Sequence, residues 1–336
     1  MRKWRLAWQV RVPGWRGTLE ECRCTAQSRP GYILPTMTAL RSLLAGSIDY
    51  AGLFPPAALD MPTAVANYAA YRESDAAWAL GRFVVPVARL GEFEAVAKSV
   101  LADETAREPW RLSALLGNDV EADMRVVEEF NCRYAESTAM PMLVDVVEGK
   151  AGTVDAIASV LEQVPGTLQA YVEIPIVSDP YLLIAEIASG RGRAKVRTGG
   201  VTADVFPPTA QVARFIGACI AVGVPFKATA GLHHPLRAEY PLTYAPDSPR
   251  STMFGFLNVF LAAAFMTQGM DAITATLLLE ESSTASLRVS DDVIDWRGRR
   301  INTAAIENVR GRAIVSFGSC SFTEPIDDLS TLGLLR

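Results

Sequence analysis

The chain has 336 residues, 50% of them apolar and 21% charged, a globular composition long enough to bury a large core. Its net charge of −5 argues against a nucleic-acid surface, and two histidines in the whole chain argue against a His-rich metal site. The five cysteines (Cys22, Cys24, Cys132, Cys219, Cys320) are odd in number and show no metal-like clustering, so the composition reads as a cytoplasmic protein with no cofactor or metal.

Residues 1–36 carry seven basic residues against Glu20 and Glu21, and they lack an apolar stretch long enough for a signal peptide. Trp4, Trp8 and Trp15 follow no helical or strand period. A second methionine, Met37, stands just before "TALRSLLAGSIDYAGLFPP", where regular patterning begins. The segment reads as a disordered extension outside the core, produced by a start codon placed too early. The sharper alternative is a basic arm that grips a partner.

From residue 49 onward, short apolar or β-branched runs alternate with longer helical patterns. The runs are 49–54, 82–88, 111–117, 141–147, 169–176, 194–199 and 225–231. Between them, Leu90, Phe93, Val96 and Val100 recur at helical spacing, as do Val212, Phe215, Ile216 and Cys219 before a closing Gly223. The runs start roughly 30 residues apart, the length of one strand–helix unit, which implies a parallel sheet.

After the seventh run, "MFGFLNVFLAAAFM" (253–266) is too short to span a bilayer and reads as a buried helix. A second helix, "DAITATLLLEE", and a hairpin through 286–302 follow. The run 313–319 supplies an eighth strand, and Pro325 suits the first turn of a last helix. The expected fold is therefore a (β/α)8 TIM barrel over 37–336, a single domain in which 235–312 elaborates the seventh unit. The competitor is an open doubly wound sheet, disfavoured because no G-x-G-x-x-G follows any strand.

Polar residues inside apolar strands are the informative ones, because barrel chemistry gathers at strand carboxyl ends. Asp145 interrupts the fourth run and Glu173 the fifth. Lys195 and Arg197 share one face of the sixth, and Lys227 and Thr229 share one face of the seventh. Singly, each reads as an edge residue or an ion-pair partner. Together they converge on one cavity if those faces point inward, and ion pairs in cores at best break even for stability. A second ammonium near a lysine disfavours its charged form, freeing an amine to attack a carbonyl. Carboxylates then move protons during carbon–carbon cleavage.

These residues resemble the class I deoxyribose-phosphate aldolases, which are (β/α)8 barrels. "AKVRTGG" and "FKATAGLHH" follow that family's sixth- and seventh-strand lysine motifs. The resemblance implies Lys195 as the Schiff-base lysine, Lys227 as its tuner, and Asp145 with Glu173 as the acidic residues of the fourth and fifth strands. It implies substrate contacts from Thr198, Gly199, Gly200, Thr229 and Gly231. It also implies a phosphate cradle at Gly318, Ser319 and Ser321 in "FGSCSFTEP". Three features depart from the family. Arg197 replaces a serine and adds an anion-binding fork. His233 and His234 follow Gly231, either as substrate-facing acid–base groups or as loop braces. Most of 235–312 has no counterpart.

The expected activity is a Schiff-base lyase acting on a small phosphorylated or carboxylated carbonyl compound. Two alternatives stay open: a non-covalent isomerase or decarboxylase using its cations as a clamp, and a non-catalytic barrel that binds an anionic metabolite. The expected partner is a small anionic substrate rather than a nucleic acid or a membrane. Homo-oligomerisation is left open.

Overall fold

The computed structural model describes residues 38–101, 108–135, 137 and 141–335. The extension expected over 1–36 lies outside the described residues. Eight parallel strands close into a barrel. They are β1 (Ile48–Tyr50), β2 (Leu80–Pro86), β3 (Trp110–Leu115), β4 (Met142–Lys150), β5 (Gln169–Glu173), β6 (Arg193–Arg197), β7 (Phe226–Thr229) and a closing strand, Ile314–Ser319. The closing strand sits between β7 and β1. The open doubly wound alternative is thereby excluded.

Side chains fix where the covering helices start. Asp60, Asp119 and Thr153 each accept a hydrogen bond from a first-turn amide of the helix that follows. The helix Thr209–Val222 ends at Gly223, whose φ of 76° lies in the left-handed region that glycine adopts without strain. The segment Ala203–Val222 is long and apolar enough by composition to cross a membrane. Within it, Val212, Phe215, Ile216 and Cys219 are buried in the core.

The helix Phe256–Thr267 is buried nearly all round. Phe256 stacks on Phe317 of the closing strand at 4.9 Å, and Phe260 meets the same ring edge-on at 5.8 Å. This greasy helix therefore packs on the last barrel seam. The expected hairpin at 286–302 is a three-stranded antiparallel sheet, Leu287–Val289, Val293–Trp296 and Arg299–Asn302. A hairpin the sequence did not announce, Ala238–Pro241 with Arg250–Met253, stands directly after β7.

One irregularity matters for the site. Leu112 of β3 pairs with Val144, but Ser113 pairs with Val146, so Asp145 is the extra residue of a bulge on β4. A bulge reverses the alternation beyond it. This puts Glu148 level with the lysines of β6 and β7.

Candidate active site

Lys195 and Lys227 are register partners on adjacent strands, 4% and 1% exposed. Burying two ammonium groups is costly unless carboxylates accompany them. Here three do. Lys227 Nζ donates to Asp49 Oδ2 and Glu148 Oε1, both at 2.6 Å. Lys195 Nζ lies 2.8 Å from Glu148 Oε2 and 2.9 Å from Glu173 Oε2. Glu148 thus bridges the two lysines. Glu173 continues the chain of alternating charge, with Oε1 accepting from Arg197 Nε at 3.2 Å. Hydroxyls anchor the acids: Ser113 Oγ donates to Glu148 at 2.5 Å, and Ser316 Oγ to Asp49 at 2.8 Å.

Electrostatics follow from this pattern. Burial alone would push the Glu148 carboxyl up, but the Lys195 and Lys227 ammonium groups outweigh it and hold it well below the carboxylate range. Glu173 is lowered against its burial by Lys195 and Arg197. Burial would lower Lys227, yet Asp49 and Glu148 raise it above an ordinary lysine. Lys227 is therefore a fixed cation. Lys227 was expected to disfavour the charged form of Lys195; Glu148 stands between their ammonium groups and offsets the repulsion on which that tuning depends.

One oxygen stands apart. Glu173 Oε2 is buried 2.9 Å from Lys195 Nζ, and this ion pair is its one contact of that kind among the described residues. Both lysines, Glu148, Arg197 and Thr229 line a cavity of about 280 Å³ at the strand carboxyl ends. A larger hollow of about 560 Å³ lies between the helices Val154–Gln163 and Tyr181–Ser189, where no convergent chemistry meets it.

Asp145 is the expectation the structure corrects. It pairs with Arg82 at 2.6 Å and Arg111 at 3.6 Å and does not line the cavity. The bulge gives its place in the lysine layer to Glu148. Sequence reasoning missed Glu148 and Asp49. Gly200 and Gly318 do line the cavity. Thr198 Oγ1 donates to Ala230 O at 2.8 Å, tying the loop after β6 to the loop after β7. At Gly199 a Cβ would overlap the Phe206 ring, and Gly231, with φ 71°, packs against the same ring. These two glycines shape the rim rather than touch the lysines.

The expected phosphate cradle is differently furnished. Ser321 Oγ accepts from the Glu324 amide at 3.1 Å, and Ser319 Oγ lies 3.3 Å from His233 Nδ1. Glu324 stands in the first turn of the helix Thr323–Thr331, so a carboxylate already occupies the helix start. His233 Nδ1 lies 3.5 Å from Glu324 Oε2 and 3.8 Å from Cys320 Sγ. Burial opposes the His233 charge, but Cys320 and Glu324 push it up to about 9. His234 bonds Asp328 at 2.6 Å and stacks on Tyr240 at 3.5 Å, bracing the hairpin.

A group raised from its ordinary 6.5 to about 9 contributes stability that is complete below pH 6.5 and lost as pH rises through 9. Urea midpoints measured from pH 6 to 10 should fall across that window in the wild type. In His233→Gln this step should vanish. An unchanged slope in the variant would assign the loss to another group.

No family profile, curated protein or solved structure matches this chain. Among the described residues, no group of three or more His, Cys, Asp or Glu side chains could hold a metal ion.

Proposed function

We propose that the protein is a Schiff-base-forming lyase of the aldolase type, with Lys195 as the nucleophile. The observation that carries this reading is the buried Lys195 amine at the cavity wall, ion-paired at 2.9 Å with a Glu173 oxygen placed to accept its proton. The fold is one commonly used by enzymes, with chemistry at this end of the strands.

In the first step Glu173 Oε2 takes a proton from the Lys195 ammonium, and the neutral amine attacks the substrate carbonyl carbon. The proton then goes to the carbinolamine oxygen, which leaves as water. An ammonium and a carbonyl have become an iminium and water, with no change in net charge. The anionic flank of Glu148 and Glu173 therefore suits the intermediate as well as the resting lysine. For cleavage, a carboxylate accepts the β-hydroxyl proton, the carbon–carbon bond breaks, and its electron pair moves to the iminium to give an enamine. Lys227 holds Glu148 ionised throughout. Arg197 bonds Glu173 only through Nε, leaving its two terminal nitrogens for an anionic group near the carbonyl.

Borohydride reduction with small aldehydes and ketones, followed by peptide mass spectrometry, tests the reading. A reduced adduct is expected on Lys195, and none in Lys195→Met. Absence of an adduct with every carbonyl tried would overturn it. A second reading draws on the two carboxylate contacts at each lysine nitrogen, which suit permanent cations. On that reading the cations clamp an enolate in an isomerase or decarboxylase, and turnover proceeds with no trapped adduct.

A further inference from the structure

The lysine cavity is not closed at its outer end. Gly200 and His233, which line it, also line a second chamber of about 370 Å³. The outer chamber is built largely by the segment after β7. Leu242, Tyr244, Pro246 and Met253 come from the hairpin and its turn, and Pro56 closes the opposite side. Its chemistry differs from that of the inner one. Lys195, Arg197 and Lys227 all belong to the inner chamber, and among the described residues no lysine or arginine lines the outer one.

The charged groups that do line the outer chamber are already paired. Glu324 lies 3.5 Å from His233 and 3.9 Å from His234, and His234 bonds Asp328. Tyr244 Oη donates to Glu324 Oε2 at 3.2 Å. A phosphate entering here would meet the Glu324 carboxylate with no unpaired cation to offset it. An uncharged hydrocarbon group would displace water from the Pro56, Pro241, Pro246 and Tyr244 surfaces, over a floor of buried Leu242 and Met253, and break no ion pair.

We propose that the outer chamber is a subsite for an uncharged alkyl or aryl substituent of the substrate, so that the compound cleaved is a carbonyl compound with an apolar tail. The inference rests on the Schiff-base reading for its catalytic meaning. The subsite itself is testable without it.

The test has two arms. In the first, primary alcohols from ethanol to hexanol, and 3-phenylpropanol, are titrated against the wild type by ligand-observed NMR. Alcohols form no imine, so they report the chamber alone. Affinity should rise about fourfold per methylene, the equivalent of ~0.8 kcal/mol, until the chamber is full. Leu242→Trp, which fills the chamber, should flatten the series. In the second arm, borohydride trapping compares butanal, 3-phenylpropanal and glyceraldehyde 3-phosphate. 3-Phenylpropanal should label Lys195 at lower concentration than butanal, while the phosphorylated aldehyde reports the Arg197 end of the inner cavity.

Affinity independent of chain length, or labelling by 3-phenylpropanal no better than by butanal, would overturn the subsite. Should Leu242→Trp fail to fold, the wild-type series still decides. Chain-length-dependent alcohol binding without any adduct would remove the Schiff-base reading and leave the subsite standing. Adduct formation without chain-length dependence would do the reverse.

Discussion

Lys227→Met is expected to lose about 3–5 kcal/mol of folding stability at pH 7, a fall in Tm on the order of 10 °C. The loss comes from what remains behind, since Asp49 and Glu148 would keep their burial after losing an ammonium that each contacts at 2.6 Å. The pH dependence should distinguish the variant from wild type. In the wild type the Glu148 carboxyl is held below its ordinary 4.5, so its contribution is present above pH 4.5 and lost as pH falls. In the variant Glu148 keeps only Lys195, at 2.8 Å, so less of that contribution should remain to be lost as pH falls toward 4.5. Asp49→Asn added to Lys227→Met should recover part of the neutral-pH loss. Urea denaturation at pH 4.5 and 7 measures all of this. A variant with wild-type stability at pH 7 would show that the network is not what keeps Lys227 buried.

Glu173→Gln should slow adduct formation on Lys195 by about 10²- to 10⁴-fold, the usual contribution of a positioned general base. The amide retains the shape and the bond from Arg197 but cannot accept a proton at the oxygen next to Nζ. Rapid-quench borohydride trapping measures the rate directly. Saturation should be reached at a similar carbonyl concentration, because the cavity and its cations are unchanged. A variant that labels at the wild-type rate would pass the base role to Glu148, the other carboxylate within reach of that nitrogen.

How much of this was legible in the sequence depended on the length and regularity of each element. Seven strands were readable because apolar runs recur at about the pitch of a strand–helix unit, and the eighth as a late apolar run beyond the elaborated seventh unit. Lys195 and Lys227 stood out as charges inside such runs, and the structure makes them register partners. Asp49 was hidden because β1 is only three residues long, too short for alternation to reveal which face its side chains take. Glu148 was hidden by the bulge. Strict alternation along β4 points Asp145 and Glu148 to opposite faces, whereas one extra residue at position 145 lets both turn inward, at different depths. The hairpin after β7 was missed because "AEYPLTYAPDSPRSTM" is rich in proline and serine, a composition typical of loops. That omission also concealed the outer chamber.

The closing strand has a consequence for the order of assembly. Lys227 lies on β7 and Asp49 on β1, and the strand between them, Ile314–Ser319, is the last of the barrel to be synthesised. Ser316, from that strand, donates to Asp49 Oδ2, the same oxygen that accepts from Lys227. A nascent chain ending before residue 314 has both lysines and all three acids but lacks the strand that seats Asp49 beside Lys227, so this end of the charge network forms only after that strand is made.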